Sequence, residues 1–179
     1  MDSQPLAMVH SVELLFDRDA NAAIRRIWDD LTEAGVRSQA AHRAPSNRPH
    51  VTLAVAESMD ESVDDALRPL LRRLPLGCTI GAPMLFGRRD FTLVRLIVPS
   101  VELLTLHAEV QSACLPHMPS GPLAHSEPGQ WTPHVTLARR VPPDHVKSAL
   151  TLKSVGHPLS AAIVGLRRWD GNAKREHPI

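Results

Sequence analysis

Pro49-His50-Val51-Thr52-Leu53 returns, letter for letter, as Pro133-His134-Val135-Thr136-Leu137, 84 positions further along a chain of 179 residues. A strand sends successive side chains to opposite faces. In each copy the histidine and threonine therefore share one face, while the valine and leucine anchor the other. Two such strands facing one another would bring two imidazoles and two hydroxyls to one cleft. Histidine changes charge near neutrality, and a hydroxyl donates to anionic oxygens. The set suits acid–base chemistry on a phosphate.

The elements around the pentapeptide recur as well. Residues 8–16 read as a strand. Residues 18–34 read as a helix, with Ala23, Ile27, Leu31 and Ala34 at helical spacing and Gly35 as its stop. A polar loop then leads into the first motif strand, 50–55. A helix follows over 60–74, with Ser58 or Asp60 to cap it, then an extended stretch over 76–86 broken by Gly81 and Pro83. The turn 87–90 opens a second round: strand 91–98, helix 101–114, a long proline-bearing loop 115–132, the second motif strand, a helix over 144–152 and an extended stretch 160–169. From Asp170 onward the chain reads as a charged tail. Shifting the first-half spans by 84 lays each on an element of the same type. The expected fold is α+β and bilobal. Lobes of about 8–86 and 91–169 are related by a pseudo-twofold axis, with strands exchanged between them. Two antiparallel sheets line a central cleft and helices cover the outside.

A hydrophobic share of 43% and a charged share of 22% fit a single soluble globular domain. The formal net charge of +1 argues against a strongly electropositive nucleic-acid binder. Only Lys147, Lys153 and Lys174 among the 20 basic residues are lysines, and arginine forks match phosphate oxygens. Cys78 and Cys114 lack metal-type spacing and read as reduced packing residues of a cytoplasmic protein. His107, Cys114 and His117 match no standard zinc pattern, so neither metal nor cofactor is expected. No apolar run approaches the length of a membrane span, and the N-terminus lacks a signal peptide's basic start and apolar run. A monomer that touches no membrane is expected.

The paired motif resembles the 2H phosphoesterase superfamily, defined by two His-x-Thr/Ser motifs, and within it the LigT-like 2′-5′ RNA ligase group. Motif spacing, the N-terminal strand and helix, and element order fit over nearly the whole chain. The resemblance implies a bilobal fold with a central cleft and metal-independent hydrolysis of 2′,3′-cyclic phosphate ends of RNA or nucleotides. It places the catalytic histidines at His50 and His134 and the phosphate-holding hydroxyls at Thr52 and Thr136. In the family, hydrolysis leaves a 2′-phosphate, so O3′ departs; ATP-independent 2′-5′ ligation is the same displacement reversed. A small-nucleotide diester, such as ADP-ribose cyclic phosphate or a 2′-5′ oligoadenylate, needs the same four residues and is the alternative substrate. A non-catalytic RNA-end binding module is the alternative of another class; binding alone does not require two titratable groups. Because the motifs are identical, they do not say which histidine is acid and which is base.

Further candidates surround these four. Arg95 stands out of phase with Val94, Leu96 and Val98 and is expected to face the cleft and a substrate phosphate. Glu13 has a similar position with less chemical motive. Arg48, Arg139 and Arg140 flank the motifs as guides for an RNA backbone. Trp131 and Phe86 are candidate platforms for a base; the chain has no tyrosine. The loop 115–132 exceeds ordinary connection lengths and reads as a substrate-covering segment. The remaining histidines are read as structural.

Overall fold

The structure, a computed structural model, describes residues 8–179. Strand β1 (His10–Phe16) buries Val12, Leu14 and Phe16 and runs directly into helix α1 (Arg18–Glu33). Asp17 makes that junction. Its Oδ1 accepts the N–H groups of Asp19 and Ala20, and its Oδ2 accepts the N–H of Ala162. These charge-assisted bonds, with the Ala20 bond foremost, hold the Asp17 carboxyl below the ordinary aspartate range. Asp17→Ala is expected to cost about 1–2 kcal/mol, the scale of a lost N-cap, read as a lower urea midpoint with unchanged slope. Because the folded carboxyl titrates lower, this stabilisation is present above the unfolded aspartate's pKa of about 4 and fades as pH falls through the folded value. The helix closes where Gly35 takes φ +81°. The N–H of Gly35 donates to Thr32 O and that of Val36 to Leu31 O, seating Val36 in the core.

The remaining elements are strand β2 (His50–Ala56), helix α2 (Val63–Leu67), strands β3 (Leu76–Phe86) and β4 (Phe91–Ile97), helix α3 (Val101–Cys114), strand β5 (His134–Val141), helices α4 (Pro143–Leu150) and α5 (Lys153–Gly156), and strands β6 (Leu159–Asp170) and β7 (Arg175–Pro178). The expected helix 60–74 is α-helical only over α2 and continues as a 3-10 turn through Arg73. Pro69, which has no N–H to give, sits at that change. The charged tail does not trail away. Asp170 Oδ1 accepts the N–H groups of Asn172 and Ala173, and the turn returns the chain as β7 along β6.

The α+β class is as expected, and the sheet is continuous, with strand order β2-β1-β6-β3-β4-β5 and β7 beside β6; every ladder is antiparallel. Exchanging β1 with β4, β2 with β5 and β3 with β6 leaves this order unchanged. The two leaves are β2-β1-β6 and β3-β4-β5, joined where Leu76–Ile80 pairs with Leu159–Ile163. Register refines the simple shift of 84. Glu13 lies between Thr52 and Arg167, whereas Val94 lies between Thr136 and Met84, so the strand preceding each motif is offset by 81.

The helices complete the exchange. Helix α1 packs on β5 and β6, and α3 on β2 and β3. Trp28 Nε1 donates to Thr136 O, and Gln111 Nε2 to Leu53 O, each reaching the motif strand of the opposite half. One core runs through the molecule, from Val12, Leu14 and Ile24 to Val51, Leu53, Leu106, Val135 and Leu137. No helix among the described residues is long and apolar enough to cross a membrane.

Candidate active site

The two motif strands are the ends of the sheet order, yet they lie beside one another. The sheet curls until its edges meet. An edge strand leaves a row of backbone groups without ladder partners, and here side chains and loops meet several of them. Thr52 O accepts from Trp131 Nε1 at 3.0 Å and Val55 O from the Leu123 N–H at 2.8 Å. On the other edge, Ser38 bridges to Ala138. The strand faces follow the alternation read from the sequence: Val51, Leu53, Val135 and Leu137 are buried, while His50, Thr52, His134 and Thr136 are partly open.

Each histidine is fixed in the same way. His50 Nδ1 lies 2.8 Å from Arg48 O, and His134 Nδ1 lies 2.7 Å from Thr132 O. A carbonyl only accepts, so Nδ1 carries the hydrogen in both rings and Nε2 is left for the cleft. His50 and Thr52 line a polar cavity of about 360 Å³ with Glu13, His42, Asn47, Arg139, Arg167 and Trp169. His134 and Thr52 line an adjoining cavity of about 520 Å³ with Phe86, His125, Gln130 and Trp131. Thr52 belongs to both. Thr136 shares a face with His134 on β5 but lines neither cavity.

The environments of the two rings differ. His50 Nε2 is 3.7 Å from Glu13 Oε1, and Glu13 is only 4% exposed. Ser11 Oγ–H donates to the same carboxylate, and Arg167 Nε–H donates to its other oxygen at 2.7 Å. Arg167 also donates to Glu176 of β7, which accepts from Arg48 as well. Charges thus alternate from Arg48 through Glu176 and Arg167 to Glu13. Burial alone would raise the Glu13 carboxyl, but His50 and Arg167 outweigh it and hold the group below the usual range. Among the described residues no carboxylate pairs with His134; Phe86 stands edge-on to its ring with centroids 5.0 Å apart. Burial, with smaller contributions from Arg139 and His50 and against the bond to Thr132 O, lowers the His134 pKa.

The other candidates are placed less uniformly. Arg95 does not reach the cleft. It is 0% exposed and donates to four carbonyls: Gly81 at 2.5 Å, Ile80 at 3.2 Å, Ser154 at 3.2 Å and His157 at 2.8 Å. β4 alternates regularly here: Leu93, Arg95 and Ile97 form its helix-covered face, with Arg95 opposite the buried Val135, whereas Val94 and Leu96 lie opposite Thr136 and His134 on the cleft face. Arg48 is held by Glu176 instead of pointing freely along the cleft. Trp131 does line the His134 cavity, but one ring face is already stacked on the buried His107 at 3.9 Å and 5°. The long loop is pinned, not loose: Ser126 O accepts from both His107 Nε2 and Gln111 Nε2. His125, in the same loop, takes φ +67° at the cavity wall.

Of the residues at the His50 cavity, Arg167 and Trp169 went unrecognised as site candidates in the sequence, and Glu13 was given less weight than Arg95. The only signal was the phase of Glu13, which sets it opposite Val12 and Leu14. Among the described residues no group of three or more His, Cys, Asp or Glu side chains is placed to hold a metal. A surface hollow of about 700 Å³ on the outer side of α3, beside Leu70, Val101 and Leu104, contains no histidine.

A family model described as the 2′-5′ RNA ligase superfamily matches residues 16–172. No curated protein matches the chain. Among solved structures, Kluyveromyces marxianus Usb1 is similar at 13% identity with a TM-score of 0.51, covering 97% of this chain and 99% of that one. The same protein with uridine monophosphate gives 12% identity and a TM-score of 0.53 at equal coverage. A structure described as a phosphoesterase gives 16% identity and a TM-score of 0.49, covering 96% of this chain and 95% of that one.

Proposed function

We propose that this chain, which belongs to the 2′-5′ RNA ligase superfamily, is a metal-independent phosphodiesterase that opens 2′,3′-cyclic phosphate ends of RNA. The observation that carries this reading is the convergence of both imidazoles, each anchored through Nδ1 so that Nε2 is left for the cleft, on cavities that share Thr52. In-line displacement needs one group to take a proton from water and another to give one to the departing O3′. Two histidines suffice. Thr52 and Thr136 would donate to the non-bridging oxygens as charge builds there. Arg139, a wall of the His50 cavity with no carboxylate partner among the described residues, adds the positive charge. The cavity beyond His134 has the volume and partly aromatic walls that suit one nucleoside.

One feature favours an RNA end over a free nucleotide. A further cavity of about 470 Å³, walled by Arg25, Arg43 and Trp28, shares His42 and Asn47 with the His50 cavity. It extends the groove past one nucleotide with two arginines.

The test is a panel of 2′,3′-cyclic mononucleotides, cyclic-ended oligoribonucleotides, ADP-ribose cyclic phosphate and 2′-5′ oligoadenylate, run in excess EDTA. Cyclic-ended oligonucleotides are expected to turn over best, to leave a 2′-phosphate, and to do so equally with and without chelator. Loss of activity under EDTA, restored by one divalent ion, would overturn the metal-free mechanism. Preference for a small nucleotide would overturn the RNA-end assignment, and inertness toward every diester the catalytic reading.

A further inference from the structure

We infer that Glu13 is a positioning residue that keeps the proton on His50, so that His50 is the general acid and His134 the general base of the displacement. The inference rests on the phosphodiesterase reading of the site. Its basis is a broken symmetry. In the fold's internal exchange, the pair Glu13 and Arg167 beside Thr52 corresponds to Val94 and Met84 beside Thr136. Two histidines with identical local sequence and identical Nδ1 anchoring therefore face opposite surroundings.

The charged and titratable groups near each ring can be named. Around His50 stand Glu13 of β1 at 3.7 Å, Arg167 of β6 behind it, Arg139 and His134 of β5, and His42 from the loop before β2. Arg167 does not cancel Glu13 at the ring. It binds Oε2, the oxygen remote from His50, and is itself paired with Glu176. The negative end of the charge chain faces the imidazole. Around His134 stand Arg139, His50 and the cavity-wall His125, with apolar Phe86 against the ring. Burial favours a neutral ring, and Arg139 and His50 act in the same sense, against the bond to Thr132 O.

The step balances as follows. Water gives its proton to His134 Nε2 as its oxygen bonds to phosphorus. The bond from phosphorus to the ribose O3′ breaks, and O3′ receives the proton of His50 Nε2. Exchange of both rings with solvent resets them.

The experiment pairs the ordinary cyclic nucleotide with one in which sulfur replaces O3′. A thiolate departs without protonation, so loss of a general acid matters little with the sulfur substrate and loss of a general base matters fully. His50→Ala is expected to recover on the sulfur substrate to within about tenfold of the wild type, and His134→Ala to stay roughly 10²-fold or more slower. Glu13→Gln should lose roughly tenfold on the oxygen substrate and little on sulfur. The high-pH limb of its rate profile, which reports loss of the acid's proton, should move down by about one pH unit. Glu13→Val/Arg167→Met removes the buried charges together and copies Val94 and Met84. It should reproduce the Glu13→Gln behaviour even where the single variant folds poorly. Recovery of His134→Ala in place of His50→Ala would reverse the assignment, and an unmoved pH profile in both Glu13 variants would remove Glu13 from it. Either result leaves the phosphodiesterase reading standing, whereas a wild-type protein inert on the oxygen substrate overturns that reading itself.

Discussion

His50→Ala and His134→Ala are each expected to slow the chemical step by roughly 10²–10⁴-fold, the range of a positioned acid or base. Both side chains lie on the open face of their strands, and the buried valine and leucine of each motif stay in place, so the fold should persist. The double variant should be little slower than either single one, because a displacement that lacks one proton partner gains little from the other. Single-turnover rates on a cyclic-ended oligonucleotide, with circular dichroism as the control for folding, measure this directly. A correctly folded single-alanine variant with nearly full activity would refute the paired-histidine mechanism.

Arg95→Met is expected to destabilise the protein by about 3–5 kcal/mol while leaving kcat and KM of the surviving folded molecules unchanged. The guanidinium is fully buried, and burial lowers its pKa. It has no carboxylate partner among the described residues; what compensates it is four carbonyls, two on β3 and two at α5 and its cap. Methionine fits the stem but leaves those acceptors without their donor, at about 1–3 kcal/mol for each one that finds no replacement. Urea unfolding of the variant gives the loss. Unchanged stability with a raised KM would return Arg95 to the cleft.

These two residues mark how far the sequence could be read. His50 and His134 were legible because a repeated motif carries its own geometry: alternation fixes the face, and recurrence in equivalent halves fixes the pairing. Hydrophobic periodicity likewise yielded the α+β class and the bounds of most strands and of α1 and α3, but not those of α2, α5 or β7. Arg95 was misplaced because both faces of β4 carry apolar side chains: Val94, Leu96 and Val98 read as the core face, but Leu93 and Ile97 are the pair that packs under the helices, and Arg95 lies with them. Glu13 was placed on the correct face but undervalued, since nothing local announces that Arg167, 154 residues away, will bury it beside His50. Trp131 was recognised as aromatic and close to His134, but its stacking on His107 depends on α3 reaching under the loop. The closing strand β7 was hidden because its few polar residues carry no apolar pattern, although Glu176 links two of the site's arginines.

The unchanged strand order under exchange of halves has an evolutionary consequence. A homodimer of half-length chains with this topology would present two copies of one gene product across its cleft. Any mutation that placed a carboxylate beside one histidine would place it beside the other. With both halves on one polypeptide, Glu13 and Arg167 occupy one side while Val94 and Met84 occupy the other. Covalent continuity lets selection act on each side of the cleft separately, so matching architecture can host unlike partners.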